Sequence, residues 1–192
     1  MQITTEQLFD DARSHNGFTA EPVSDDELRR IYELMRWGPT SANSSPTRIV
    51  FVRSPAAKAK LLACVSPGNV AKTTSAPVAA VLGIDYAFYE KLAFLFPHNA
   101  EAKSWFVGKT AHIEATAFRN ASLQGGYFIL AARAIGLDCG PMSGFDHAKI
   151  DAAFWDGTTV RTNFICNLGH GDRSKLFARS PRLPFAEACR IE

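Results

Sequence analysis

The sequence predicts a single domain of the α+β class. Its 192 residues are enough for one hydrophobic core, and 46% hydrophobic with 21% charged residues is typical of a globular chain. Helical and strand-like patterns follow one another without the regular strand–helix–strand alternation that predicts a parallel sheet. No linker, internal repeat or change of composition divides residues 1–192, so we expect one domain over that whole range.

The first half of the chain contains helical and strand patterns in mixed order. Residues 4–13 have a helical pattern with Thr4 or Thr5 as the N-cap. A second helix begins at Ser24, because Glu27 three residues later completes a capping box. The pattern then predicts a strand, a short helix and a buried strand at residues 49–52, 55–65 and 77–84.

The second half begins with an irregular segment and continues with a long helix. Residues 86–109 are rich in aromatic side chains, which indicates either a lid over a site or a separate hydrophobic cluster. The long helix is expected from about residue 110 to 135, with Gly136 as its C′ residue. Small side chains recur every four positions on it and favour either core packing or a subunit interface, at Ala117, Ala121 and Gly125. The last elements predicted are a helix at 145–155 and a strand at 162–168.

Composition and spacing argue against several classes of protein. The net charge is +2 and the basic residues are scattered, so no nucleic-acid surface is expected. The longest uncharged apolar stretch, around residues 76–84, is far too short to span a membrane. Residues 1–6 do not resemble a secretory signal, so we expect a cytoplasmic location. The cysteines and histidines lack metal-ligand spacing, so we expect no metal site.

Residues 36–46, here called the polar tract, are the most informative segment. They follow a helical pattern, precede a strand, and carry four hydroxyl groups and one amide between two prolines. A turn of this kind often only connects two elements. This one offers more hydrogen-bond donors than a connection needs, which suits a flat polar ligand.

Four further polar clusters lie elsewhere in the chain. Arg13 precedes Ser14, a pair that can hold a phosphate. Asn69 and Lys72 share one face if their segment is helical. The other two are the Gly/Pro-rich residues 140–146 and a basic set near the C-terminus, Lys175, Arg179 and Arg182. Taken singly, each cluster is typical of a loop or a solvated surface.

Taken together, the order and spacing of these clusters resemble the FMN-dependent nitroreductase family, in particular its RutE/HadB-like branch. The resemblance covers nearly the whole chain, and its motifs are at residues 13–17, 37–43, 140–146 and 171–179, with Ala117-Phe118-Arg119-Asn120 and Gln124. It implies a nitroreductase-like fold, in which helices flank a central, mostly antiparallel sheet. It also implies an intertwined homodimer that binds FMN at the subunit interface.

The resemblance implies a set of cofactor-binding residues from every cluster. They are Arg13, Ser14, His15, Asn16, Pro39, Thr40, Ser41, Asn43, Asn69, Lys72, Pro141, Met142, Ser143, Gly144, Arg179 and Arg182. Ser14 and Asn16 match positions that contact the phosphate and the ribityl chain. The polar tract matches a segment that the second subunit supplies. Residues 141–144 match a loop whose backbone approaches the reactive flavin nitrogen.

Two of these residues are expected to act in catalysis. Lys72 stabilises the negative charge that the reduced flavin gains, and Asn69 orients the same edge of the ring. Three positions depart from the family pattern: Ala12 and Ser180 replace basic residues, and Ser143 replaces a frequent Glu. We infer that Arg13, Arg179 or Arg182 compensates at the phosphate. The proton donor is left open among His15, Arg119 and water.

The activity implied is ping-pong hydride transfer from NADH or NADPH through FMN to a small oxidant. Malonic semialdehyde, which would give 3-hydroxypropionate, is one candidate oxidant, and a nitroaromatic or a quinone is another. The alternative is an FMN-binding protein without turnover, acting in storage or regulation. The sequence does not choose between NADH and NADPH, because it carries no Rossmann fingerprint to read.

Overall fold

A four-stranded antiparallel sheet forms the centre of the fold. The computed structural model describes residues 3–192. Its strands are β1 (Thr47–Val52), β2 (Val78–Asp85), β3 (Asp138–Met142) and β4 (Val160–Gly169), and they lie in the order β1-β2-β4-β3. All three strand pairs are antiparallel, which confirms the α+β prediction and the central antiparallel sheet.

The described chain contains seven α-helices. They are α1 (Asp25–Met35), α2 (Pro55–Leu62), α3 (Pro67–Ser75), α4 (Leu92–Leu95), α5 (Thr110–Ala134), α6 (His147–Phe154) and α7 (Phe185–Ala188). None of the helices in residues 3–192 is long and apolar enough to cross a membrane.

Helix boundaries mostly follow the capping signals. The Ser24 hydroxyl accepts from the Glu27 N–H, and the Glu27 carboxylate accepts from the Ser24 N–H, so the predicted capping box is present. Gly136 ends α5 with a φ of 91°, a left-handed conformation that favours glycine. The first predicted helix is shorter than expected and is a π-helical turn, Glu6–Asp10. The Thr4 hydroxyl accepts from the Gln7 N–H just before that turn.

Two hydrophobic layers cover the sheet, one on each face. On one face Ile31 of α1 and Phe128 of α5 pack against Leu82. On the other, Leu61 of α2 and Ile150 of α6 pack in one cluster with strand residues. Every residue of β2 is buried as a result, which explains its continuous apolar sequence.

The aromatic segment and the small face of α5 pack together. Phe88 and Phe106 form a third buried cluster that includes Ala117 and Ala121. A Cβ on Gly125 would lie 2.4 Å from the ring of Phe164 in β4. The small side chains therefore permit core packing within the subunit, and the subunit-interface alternative for this face is wrong.

Four elements were missed in the sequence: β3, α3 and the short helices α4 and α7. Residues 140–146 were predicted as a loop, but Asp138–Met142 form strand β3. It has one strand neighbour in the sheet, and such an edge position tolerates Pro141, which lacks an N–H. Helix α3 was missed because Pro67 followed by Gly68 is a pattern typical of a turn. Pro67 in fact lies in the first turn of the helix, where an N–H has no partner within the helix, so no hydrogen bond is lost.

Candidate functional site

The N-terminal segment lies directly beside β3. Ser14 forms a parallel bridge with Cys139, and the His15 N–H donates to the Cys139 carbonyl at 2.9 Å. A Cβ at Gly140 would lie 2.7 Å from the His15 carbonyl oxygen, so this approach requires glycine. The structure thus brings the predicted clusters at 13–16 and 140–144 together.

Side chains in this segment alternate between solvent and core. Ser14 is exposed and Asn16 is half-buried, whereas His15 is 4% exposed. The His15 Nε2 lies 3.3 Å from Asp138 Oδ1, and the other Asp138 oxygen accepts from the Gly171 N–H at 2.8 Å. His15 therefore contacts the protein interior, on the side opposite Ser14 and Asn16.

Asp138 is held as a carboxylate at this position. Burial raises the pKa of Asp138, but the hydrogen bonds from His15 and the Gly171 N–H outweigh burial. Its pKa consequently lies below the usual value of 3.8. The pair fastens the segment at 13–16 to β3 and to the end of β4.

Helix α3 joins both clusters. The Asn69 side-chain amide donates to the Gly144 carbonyl at 2.7 Å, and the Ser66 N–H donates to the same oxygen at 2.9 Å. At the other end of α3, the Ser75 hydroxyl accepts from the Phe18 N–H at 3.2 Å. Lys72 follows Asn69 by three residues, so the two share one face of the helix.

Residues 13–18, 69–75 and 139–144 thus form one surface, here called the β3-edge surface. At its centre Ser143 is exposed, while Met142 is buried with its sulfur 3.7 Å from the Thr73 hydroxyl. Pro141 is half-buried at the end of β3. The backbone at residues 143–144 is therefore accessible beside Asn69.

Two of the three predicted arginines bond to backbone carbonyls of each other's segments. Arg13 donates to the Phe177 carbonyl at 2.5 Å, and Arg179 donates to the carbonyls of Asp10 and Ala12. These bonds bring the two guanidinium groups to adjoining backbone segments. Arg182 instead donates to the Ser180 and Pro181 carbonyls within its own segment.

The polar tract has a strained backbone. The φ values of Ala42, Asn43 and Ser45 are 50°, 48° and 40°. They lie in the left-handed region, which residues other than glycine rarely adopt. Such conformations cost roughly 1 to 3 kcal/mol each and persist where the surroundings hold them. Their concentration in one short segment favours a functional role over a plain connection.

Helix α5 holds this backbone. The Asn120 side chain accepts from the Ser41 N–H at 2.8 Å, and Gln124 accepts from the Thr47 N–H at 2.9 Å. The Tyr127 hydroxyl donates to the Pro39 carbonyl at 3.0 Å. The tract is thereby fixed in place, while Pro39, Ser41 and Asn43 remain exposed.

The polar tract and the β3-edge surface are far apart within one chain. The tract directly precedes β1, which is one edge of the sheet, whereas residues 139–144 lie in β3, at the other edge, and just after it. Strands β2 and β4 lie between these edges, so β1 and β3 are three strand spacings apart, about 14 Å. A single subunit therefore does not bring Pro39–Asn43 to Asn69 and Lys72.

Sequence reasoning missed Asp138 as a partner of the site. No local motif marks it, because its role depends on the N-terminal segment lying beside β3. Asn120 and Gln124 were noted as part of the family pattern, but their function as supports of the polar tract was not foreseen. Within residues 3–192, no three His, Cys, Asp or Glu side chains converge as a metal site requires.

Comparisons with known proteins agree with this architecture. The family model described as "Nitroreductase family" matches residues 10–170. A relative from Polynucleobacter asymbioticus, provisionally named NADH dehydrogenase/NAD(P)H nitroreductase, is 60% identical over 97% of this chain and 94% of its own. A relative from Ralstonia pickettii, with the same provisional name and the designation HadB, is 58% identical over 98% of this chain and 97% of its own.

A solved structure of a provisionally assigned nitroreductase from Exiguobacterium sibiricum, in complex with FMN, has the same fold. It superposes with a TM-score of 0.88 at 18% identity, covering 100% of this chain and 99% of that chain. The match to the family model and the high identity to the relatives lead to one conclusion. The chain belongs to the nitroreductase family, among relatives that include HadB.

Proposed function

We propose that this protein is an FMN-dependent NAD(P)H oxidoreductase that passes hydride to a small oxidant. One observation carries the proposal: three polar clusters that are distant in sequence meet on the β3-edge surface of a chain from this family. Bound FMN would supply the hydride chemistry, and the protein would bind it, orient it and stabilise charge.

The donors at the β3-edge surface fit the parts of FMN. The guanidinium groups of Arg13 and Arg179, with the exposed Ser14 hydroxyl, suit a phosphate. The Asn16 amide suits the ribityl hydroxyls. Arg179 is the arginine that best compensates for Ala12, because its guanidinium lies 3.2 Å from the Ala12 carbonyl.

The other end of the surface suits the flavin ring. Lys72 places an ammonium group one helical turn from Asn69, where it would stabilise negative charge on the ring. Asn69 is fixed by its bond to Gly144, so its remaining polar atoms are preorganised for the same edge. The accessible backbone at Ser143 and Gly144 would donate to the ring, which needs no side chain from residue 143.

His15 is assigned a positioning role in this proposal. Its side chain is buried and contacts Asp138, so it would hold the Ser14 and Asn16 edge and not deliver a proton to the oxidant. Two candidate proton sources then remain: water and Arg119, which is exposed on α5.

The working unit proposed is a homodimer. The distance between the polar tract and the β3-edge surface means that Pro39, Thr40, Ser41 and Asn43 would border the flavin of a second copy. Apolar surface for that second copy is present: Phe118 and Leu123 on α5 are exposed, and so are Phe177, Leu183 and Phe185 near the C-terminus. Measurement of the molar mass by light scattering tests this, and a monomer that carries a full complement of FMN would contradict it.

The activity is tested by cofactor content and steady-state kinetics. We expect the purified protein to bind one FMN per chain and to oxidise NADH or NADPH when malonic semialdehyde, a nitroaromatic or a quinone is present. Comparing these oxidants with both nicotinamides identifies the preferred pair. Bound FMN without turnover would support the storage or regulatory alternative, and failure to bind added FMN would overturn both.

The Lys72→Ala variant tests the catalytic assignment. We expect FMN to remain bound and its reduction by NAD(P)H to slow roughly tenfold or more, because the variant removes the cation that stabilises the reduced ring. Stopped-flow absorbance at the flavin band measures this rate. The Lys60→Ala variant is the control, since Lys60 is an exposed cation on the neighbouring helix α2. Equal rates in both variants would remove the role assigned to Lys72.

A further inference from the structure

A groove of about 880 Å³ lies between α1, the polar tract, β1 and α4. Its charged lining residues are Arg36, Arg48 and Lys91, and no carboxylate of the described chain lines it. Cations around one concave surface repel one another, and an anion between them relieves that repulsion. The charge of the groove therefore favours a negatively charged occupant.

The three cations are not equally available to a ligand. Arg48 lies 2.7 Å from the buried Asp85 carboxylate, and its other terminal nitrogen donates to backbone carbonyls. Arg36 and Lys91 are exposed and form no ion pair with residues 3–192. The charge that a ligand would meet is thus mainly that of Arg36 and Lys91.

Aromatic rings complete the groove. Trp37 is 77% exposed and Phe94 is 83% exposed, and both line it. The Arg36 guanidinium lies over the Trp37 ring at 5.1 Å from the ring centre. Exposed rings beside unpaired cations suit a small ligand with an apolar body and an anionic end.

Lys91 is also held close to the polar tract. The Asn43 side-chain amide donates to the Leu95 carbonyl at 2.8 Å, which ties the tract to α4. Lys91 precedes Leu95 by four residues, at the start of the same short helix, so both lie on one side of it. Pro39 and Asn43 line the groove as well.

We propose that this groove binds the anionic end of the oxidant, so that the preferred oxidant carries a carboxylate. Lys91 is the principal contact and Arg36 the second. This inference rests on the proposed function, in which Pro39 and Asn43 border the flavin of a second copy. It places the specificity for a carboxylate on cations of the subunit that supplies the polar tract.

A pair of oxidants that differ in charge tests the inference on the FMN-loaded protein. The pair is 4-nitrobenzoate and its methyl ester. In each, the nitro group is reduced to nitroso while one NAD(P)H and one proton are consumed and NAD(P)⁺ and water are released. We expect Lys91→Gln to raise KM for 4-nitrobenzoate about three- to fivefold, with kcat and the KM for the ester unchanged. Arg36→Gln should act in the same direction with a smaller effect.

Controls separate this inference from the proposed function. Lys60→Gln, which removes an exposed cation outside the groove, should leave both KM values unchanged. Added NaCl should raise KM for the acid and not for the ester in the unaltered protein. Equal changes for acid and ester, or a rise in KM for NAD(P)H alone, would overturn the inference. Absence of turnover with the ester would instead overturn the proposed function.

Discussion

The β3-edge surface and the polar tract present similar chemical groups on different supports. At the β3-edge surface, backbone segments support one another: residues 13–16 bond to β3, and α3 bonds to the loop at Gly144. In the polar tract, side chains from α5 hold a backbone with three left-handed residues. The β3-edge surface is thus held by contacts between neighbouring segments of the chain, whereas the polar tract depends on a few side chains of one helix.

Because the two regions are held in different ways, they should be sensitive to different substitutions. The β3-edge surface relies on close backbone approach, so its weak points are glycines and the buried His15. The polar tract relies on hydrogen bonds that hold an unfavourable conformation, so its weak points are the amides that make them. Matched substitutions in the two regions should therefore have unequal effects.

The largest expected effect comes from a matched pair of glycines. A Cβ at Gly171 would lie 1.9 Å from Nδ1 of the buried His15, whereas one at Gly38 would lie 2.1 Å from the ring of Tyr127. His15 is buried and paired with Asp138, while Tyr127 is only half-buried. We expect Gly171→Ala to lower the free energy of unfolding by about 3 kcal/mol and Gly38→Ala by about 1 to 2 kcal/mol.

Urea unfolding followed by tryptophan fluorescence, at one protein concentration, measures both losses. Gly68→Ala is the control, because a Cβ there meets nothing within 4 Å. It should leave the free energy of unfolding at least as high as in the unaltered protein. A smaller loss for Gly171→Ala than for Gly38→Ala would contradict the view that the His15 side chain is held more firmly than that of Tyr127.

Replacement of one asparagine in each region should cost more unfolding free energy in the polar tract than at the β3-edge surface. Asn120 is fully buried, accepts from the Ser41 N–H and donates to the Thr116 carbonyl at 2.8 Å. Asn69 is half-buried, and its partner Gly144 keeps a second bond from Ser66. We expect Asn120→Ala to cost about 2 kcal/mol of unfolding free energy and Asn69→Ala about 1 kcal/mol or less.

Proteolysis gives a second measurement of this pair. Loss of the Asn120 support should expose the polar tract, so limited digestion should cut near residues 40–45 faster in Asn120→Ala than in Asn69→Ala. The variant Asn163→Ala is the control, since its amide makes a bond of 3.3 Å to Ser122 on the exposed surface. Cleavage rates that rank Asn69→Ala first would show that α5 is not the main support of the tract.

The elements with strong local patterns were predictable from the sequence, and those that depend on tertiary contact were not. The capping box at Ser24, the buried strand β2 and the Gly136 end of α5 follow from local patterns and are present. β3 was missed, because Gly140 and Pro141 read as a turn unless their edge position and the neighbouring His15 backbone are known.

The candidate site was likewise predictable only in part. Asn69 and Lys72 were placed on one face by their spacing, and α3 puts them there. Arg13 was expected to share an anion with the basic residues near the C-terminus. Arg13 and Arg179 bond to each other's backbone segments, whereas Arg182 bonds within its own segment. The inward direction of His15 was not predictable, because a short extended segment with mixed polarity does not reveal which side will be buried.

The smallest expected effect is a pH dependence at the β3-edge surface. The pKa of Asp138 lies below its usual value of 3.8, because hydrogen bonds from His15 and Gly171 outweigh burial. A carboxyl with a lowered folded-state pKa contributes stability above its unfolded-state pKa and loses it as pH falls through the folded-state pKa. The Asp138 side chain is 40% exposed, so its share of the acid-induced loss is small.

Urea midpoints measured from pH 6 down to pH 3 test this contribution. Asp138→Asn should start less stable at pH 6 and lose less stability than the unaltered protein as pH falls below 3.8. Asp156→Asn, which removes an exposed carboxylate outside both regions, should keep the acid profile of the unaltered protein. If Asp138→Asn loses as much stability in acid as the unaltered protein, the His15–Asp138 pair does not fasten the N-terminal segment. The support of the β3-edge surface would then rest on its backbone bonds alone.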